Sequence, residues 1–285
     1  MLSKKYKVKV KSFRQTVWDH YKKHGRYDLP WRKTTDPYKI LVSEVMLQQT
    51  QVQRVIEKYK EFLKVFPNVR RLARVPLSEV LKVWSGMGYN RRAKFLRDAA
   101  RVIVAKHKGK VPLLYSDLVE LPGIGPYTAS AVRAFAFNEP DILVETNIRA
   151  AFIHHFFAHT PKVRDRVILV YAEKAAPNGS PPAGGPREWH WALMDYGAHL
   201  KRSGVRNNHR SAHYTRQSKF EGSLRQVRGE VIRVLTHERM TERQLMKRMK
   251  GEKWEAVLEG LARDGLIVRR AGPASGGKKM KWRIA

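Results

Sequence analysis

The 285-residue chain contains no cysteine. That excludes disulfides, thiolate zinc sites and iron-sulfur clusters held by cysteine. Acidic residues are scarce: 25 Asp and Glu stand against 57 Lys and Arg, a formal charge of +32. Long apolar runs are missing too. The basic start MLSKKYKVKVKSF leads into no apolar signal-peptide core, and no stretch approaches the length of a membrane span. A cytoplasmic location with no membrane association is expected. No internal repeat of fixed period is present.

What is there begins with 42% hydrophobic residues, enough for one sizeable core or two smaller ones. The basic excess runs along the whole chain rather than in one tail. Self-repulsion of that size is relieved by a polyanionic ligand, so nucleic acid is the expected partner, with a merely soluble basic protein as the alternative.

From Phe13 to about Ala158, apolar residues recur at three and four, as in VIEKYKEFLKVF, which predicts an all-helical region. Asp36 before Pro37 marks one helix start, and Ser78 with Glu79 opens LSEVLKVW. PNGSPPAGGPRE, 177–188, reads as a surface loop before the apolar helix WHWALMDYGAHL. Residues 201–219 are rich in Lys, Arg and His and supply no core. After Ser223 come three amphipathic stretches and an alternating segment with a glycine-rich tip, the pattern of a winged helix. Such a module contacts DNA, or else serves packing or dimerisation. Two domains are therefore expected, 1–222 and 223–285, with 201–222 as a basic loop at the end of the first.

Residues 118–132, LVELPGIGPYTASAV, combine a turn of apolar helix, the tight turn PGIG and a small-residue helix. Two glycines permit a turn that side chains would block, and backbone N–H groups at the start of the next helix suit an anion. This is a helix-hairpin-helix signature, which holds a DNA phosphate without reading sequence. Any helix-turn-helix corner with Gly, Ile and Gly is the alternative.

Four blocks carry a closer resemblance: LPWR at 29–32, DPYKILVSEVMLQQTQV at 36–52, GMGYNRRA at 86–93 and LPGIGPYT at 121–128. In order and spacing the chain resembles the MutY-type adenine DNA glycosylases of the helix-hairpin-helix superfamily over nearly half its length. The resemblance implies an all-α fold of two helical lobes, to which the C-terminal pattern adds a small winged-helix-like α+β domain. It implies a monomer acting on double-stranded DNA that contains a mismatch or an oxidised guanine, in base excision repair.

It also implies residue roles. Glu44, flanked by apolar residues in ILVSEVML, matches the family's catalytic acid, which protonates the leaving adenine; desolvation would keep a proton on it. A structural ion pair is the other reading of Glu44. Cleavage builds positive charge on the sugar, so a second carboxylate is expected. The family has an aspartate there, and this chain has Glu145, one methylene longer. Asn147 matches a neighbouring asparagine that holds Glu145 or caps the next helix. Bifunctional relatives resembling endonuclease III carry a lysine two residues after the hairpin, where this chain has Tyr127. No Schiff base forms from tyrosine, so base removal without strand cleavage is expected. Gln49 and Tyr89 match side chains that fill the gap left by an extruded base, or are a surface amide and a packed aromatic. Leu29, Trp31 and Arg32 resemble the wall of the base pocket, although Trp31 suits a core equally. Gly123, Gly125 and Thr128 form the phosphate-binding set.

The family's four cluster cysteines correspond here to Lys201, Asn208, Ser211 and Gln217. No cofactor and no metal is expected, and the segment containing His209 and His213 reads as a phosphate-binding surface. The family's usual C-terminal domain, related to nucleotide-sanitising hydrolases, is replaced by the winged-helix pattern. Adenine opposite 8-oxoguanine or guanine is the expected target. A thymine or uracil glycosylase acting on guanine mismatches, or a DNA-binding protein without catalysis, are the alternatives.

Overall fold

The computed structural model describes residues 4–177, 185–215, 219–249, 254–271 and 280–285. Helices come in the order α1 (Lys4–His24), α2 (Pro37–Leu47), α3 (Val52–Val65), α4 (Val69–Arg74), α5 (Leu77–Val83), α6 (Arg91–Lys106), α7 (Tyr115–Val119) and α8 (Pro126–Val132). After a π-helical turn at Arg133–Phe137 follow α9 (Thr146–Phe156), α10 (Asp165–Ala175) and α11 (Gly185–Arg202). The C-terminal part holds α12 (Leu224–Leu235), α13 (Glu242–Arg248), α14 (Trp254–Arg263) and the strands β1 (Ile267–Ala271) and β2 (Met280–Ile284).

The chain divides into two compact units. Lobe I is Met1–Ile40 with Gly125–Arg216; lobe II is Leu41–Ile124 with Gln217–Ala285. The C-terminal module thus belongs with the middle of the chain.

Lobe I is organised by α11, which packs against α9 and α1. Phe13 of α1, Phe152 of α9 and Trp189 of α11 are almost wholly buried, with the Phe13 and Phe152 rings 5.0 Å apart. At the α9–α11 crossing the backbones nearly touch: a β-carbon on Gly197 would fall 1.9 Å from the Asn147 carbonyl oxygen. Only glycine fits there.

In lobe II, α4 packs on α6 and α3 on α5. The apolar face of α3 buries Val55, Tyr59 and Phe62 at helical spacing, beside Phe66 and Trp84. Asp36 caps α2, its Oδ1 accepting from the Tyr38 N–H at 2.9 Å, and Pro37 follows at the first helical position. Ser78 does not cap α5, which begins at Leu77 after Pro76 with no side-chain cap. The proline has already set the chain's direction.

The C-terminal module has the expected order of three helices and a hairpin. Thr241 and Gln244 form a reciprocal capping box at the start of α13. β1 and β2 pair antiparallel from Ile267 opposite Ile284 to Ala271 opposite Met280, and Met240 bridges Trp282 alongside. Its small core includes Val231, Ile232, Leu245, Val257, Leu258 and Leu261. The glycine-rich hairpin tip and most of the 177–188 loop lie outside the described residues. Among the described residues no helix is long and apolar enough to cross a membrane.

Candidate active site

Lobe II carries Glu44, Gln49, Tyr89 and Gly123. Glu44 sits on α2 between Ser43 and Val45 and is 7% exposed. Past the end of that helix, Gln49 is exposed with φ 54°, and Tyr89 has φ 48° beside Gly86 at 86° and Gly88 at 69°. Left-handed backbone at two non-glycine residues costs on the order of 1–3 kcal/mol each and persists only where the surroundings enforce it.

Arg92 enforces it. Its Nη1 donates to the carbonyls of Val45, Met46 and Gln48 at 2.8, 2.9 and 2.5 Å. Its Nη2 donates to Thr50 Oγ1 at 2.9 Å and to the Gly88 carbonyl at 3.3 Å. One buried guanidinium thus caps the end of α2 and ties it to the 86–90 loop. Burial lowers its pKa to about 10, so it stays charged at neutral pH. Its guanidinium carbon lies 5.3 Å from the Trp84 ring and 5.4 Å from the Tyr89 ring. The GMGYNRRA block contains Arg92, but periodicity alone does not distinguish it from the neighbouring surface arginine.

The hairpin is built as its glycines require. Gly123 has φ 74°, and a β-carbon on it would meet Phe95 at 2.5 Å. Gly125 is the N-cap of α8, offers no side-chain cap and is followed by Pro126. The first helical N–H is thereby removed, and the next ones belong to Tyr127, half-buried, and Thr128, buried.

Lobe I carries the second carboxylate. Glu145 is the N-cap of α9: Oε1 accepts the backbone N–H groups of Asn147 and Ile148 at 2.7 and 2.8 Å. Asn147 Nδ2 donates to Oε2 at 3.2 Å. Of the two readings of Asn147, capping falls to Glu145 instead, while the asparagine side chain rests on that carboxylate. The longer glutamate curls back to do what a shorter acidic side chain does at an N-cap. Behind it, Lys201 Nζ donates to Asn147 Oδ1 at 2.8 Å. Burial lowers the Lys201 pKa against the opposing pull of Glu145, and Arg149 lowers it further.

Leu29 and Trp31 are each 6% exposed, on and before the 3-10 turn Pro30–Arg32. The Arg32 guanidinium makes a two-pronged bond to Asp195, Nη1 to Oδ2 at 2.7 Å and Nη2 to Oδ1 at 2.9 Å, with its side chain 3% exposed. Arg26 adds Nε to Oδ1 at 2.6 Å. Burial pushes the Asp195 pKa up, but these arginines outweigh it and hold the carboxyl below its usual range. The guanidinium of Arg32 is therefore set by Asp195, a residue to which the sequence assigns no firm role.

The family model for the HhH-GPD superfamily base excision DNA repair protein matches residues 42–171. An adenine DNA glycosylase of Buchnera aphidicola subsp. Baizongia pistaciae is 41% identical over 144 residues, 50% of this chain and 41% of that protein. The chain thus spans under half the length of this relative. An adenine DNA glycosylase of Mycolicibacterium smegmatis is 35% identical over 230 residues, 74% of this chain and 76% of the relative. This chain belongs to the HhH-GPD superfamily of base excision DNA repair proteins. Among solved structures, a thermostable thymine-DNA glycosylase superposes with TM-score 0.58 and 29% identity over 67% of this chain and 87% of that one.

Lys201, Asn208 and Ser211, which the resemblance sets against cluster cysteines, have structural roles of their own. Lys201 bonds Asn147; Asn208 opens a 3-10 turn to Arg210; Ser211 pairs with Val163 in a parallel bridge. Gln217 lies outside the described residues. Asn207 Nδ2 donates to the Ala150 carbonyl at 3.1 Å, so the segment is pinned to α9 by this amide and to Val163 by backbone bonds. His209 and His213 are exposed on it, and His213 lies 3.9 Å from Asp165.

Proposed function

We propose that the chain is a monofunctional DNA glycosylase that hydrolyses the N-glycosidic bond of adenine opposite 8-oxoguanine or guanine in duplex DNA. The observation carrying this reading is the buried Glu44 on α2, in the SEVMLQQT block of a chain with long similarity to adenine DNA glycosylases. Glu44 delivers its proton to the adenine as the N9–C1′ bond breaks, which makes the base a neutral leaving group. Glu145, held in place by two backbone N–H groups and Asn147, faces the oxocarbenium charge on the sugar. Water adds to C1′ and gives its proton back to the Glu44 carboxylate. Tyr127 leaves the strand uncut because it offers no amine for a Schiff base.

Gln49 and Tyr89 occupy the gap left by the extruded adenine, and Leu29, Trp31 and Arg32 wall the base pocket. The helix start at Gly125–Thr128 holds a phosphate, as do the exposed basic residues of the 201–222 loop. No cofactor or metal takes part in this scheme. The protein works as a cytoplasmic monomer.

Single-turnover base release tests the reading. Adenine released opposite 8-oxoguanine, and lost in Glu44→Gln, supports it. Release of thymine or uracil opposite guanine would favour the second reading, to which the likeness to a thymine-DNA glycosylase structure lends weight. Tight binding with no release from any duplex would leave a DNA-binding protein.

A further inference from the structure

Lobe II contains a cavity of about 340 Å³ whose walls come from two distant stretches of the chain. One wall is the strained pair Gln49 and Tyr89 with Arg91; the other is α12 of the C-terminal module, through Arg225 and Arg228. Leu261 and Leu266 supply apolar floor. Arg225 reaches across this space: its Nη1 donates to Tyr89 Oη at 2.9 Å, with the guanidinium carbon 5.9 Å from the ring centroid. Asp264 pairs with Arg91 at 3.4 Å and with Arg228. Four guanidiniums line this space, those of Arg91, Arg92, Arg225 and Arg228.

The chemistry of this lining is specific. Guanidiniums suit phosphate oxygens, and a tyrosine face with leucine side chains suits a base or sugar. The volume is at the small end for a ligand site. Arg225 and Arg228 lie one helical turn apart on α12 and face one way. We propose that this cavity is a DNA-strand site that takes one nucleotide next to the base gap, its phosphate on the Arg225 and Arg228 guanidiniums. Arg225 is in addition a positioning residue that fixes the Tyr89 wedge. The C-terminal module is thereby part of the extrusion machinery. The proposal rests on the reading of Tyr89 as the side chain that fills the gap.

The test uses the full chain and a mismatched duplex carrying 2-aminopurine beside the target adenine. Binding is titrated over a salt series, and extrusion is followed by fluorescence. Arg225→Ala is expected to flatten the slope of log K against log salt by about 0.9, the loss of one phosphate contact, and to cut the fluorescence amplitude severalfold. Arg225→Lys restores the slope but not the full amplitude. Arg71→Ala, an exposed arginine facing Glu79, serves as control for charge alone. In a double-mutant cycle, Arg225→Ala and Tyr89→Phe are non-additive in amplitude.

An unchanged slope in Arg225→Ala, at unchanged melting temperature, overturns the strand site. Stabilisation of the parent but not Arg225→Ala by millimolar dAMP, with the slope unmoved, also overturns it and points to a free nucleotide. Full extrusion in Tyr89→Ala sinks the wedge reading instead, and the salt slope still decides whether Arg225 meets DNA.

Discussion

The Glu145 carboxylate of lobe I and the Gln49 and Tyr89 loops of lobe II are built by opposite means. Glu145 sits at the start of a regular helix, bonded to N–H groups that every helix start exposes, and no positive φ is involved. Its support comes from helix packing at Gly197 and from the Lys201–Asn147 bond. Gln49 and Tyr89 hold left-handed backbone instead, kept by the six acceptors around Arg92. The carboxylate proposed to face the sugar charge is placed on relaxed structure. The side chains proposed to enter the duplex sit on strained loops pinned by Arg92. Loss of a pin should therefore cost extrusion, and loss of a carboxylate should cost the bond-breaking step.

The largest effect that sharpens this contrast is on the acid. Glu44→Gln removes the proposed proton donor, and single-turnover base release should fall by about 10²–10⁴-fold with duplex affinity kept. Arg92→Met comes next. It strands several carbonyls and frees two strained loops, so the melting temperature should drop by several degrees and 2-aminopurine extrusion should disappear. Retained extrusion there would break the claim that Arg92 enforces the wedge. Lys201→Met should lower the base-release rate by about tenfold without weakening duplex binding, because it releases Asn147 and loosens Glu145. Lys201→Arg, which keeps a donor, should recover part of the rate, and a loss confined to melting temperature would make Lys201 merely structural.

The smallest effect is on pH. His190 is held neutral by burial, its pKa lowered to about 4 from 6.5, with Nε2 bonded to the Asp141 carbonyl at 2.7 Å. Its stabilising effect is complete above pH 6.5. As the pH falls towards 4 the unfolded chain takes up a proton that the folded one refuses, so stability drains away. His155, lowered to about 4 by burial, acts in the same direction. Melting temperature should decline between pH 6.5 and 5, and His190→Gln should flatten that decline.

Much of this was legible in the sequence because it depends on neighbours along the chain. The Asp36 cap, the Gly123 turn, the α11 helix and the C-terminal order of helices and hairpin are all set within a few residues. Arg92, Lys201 and Asp195 were not legible in their roles. Their partners lie about 40 or more positions away, at Val45–Thr50, Asn147 and Arg26–Arg32, and only the packed structure brings them together. Asn147 shows the limit at close range: Asn and Glu in ETN both suit a helix start, and the backbone selects the glutamate. The compact unit that joins residues 217–285 with 41–124 combines stretches far apart in sequence, which a linear reading does not reveal.

The division of labour is tested most directly by one stopped-flow experiment on Glu145→Gln with an adenine opposite 8-oxoguanine, in which 2-aminopurine fluorescence and quenched base release are read from the same reaction. An extrusion amplitude equal to the parent's is expected, with base release slowed by about 10²-fold or more. If extrusion and release fall together, or release proceeds at the parent's rate, Glu145 is not the charge-stabilising carboxylate and the separation of the two regions fails.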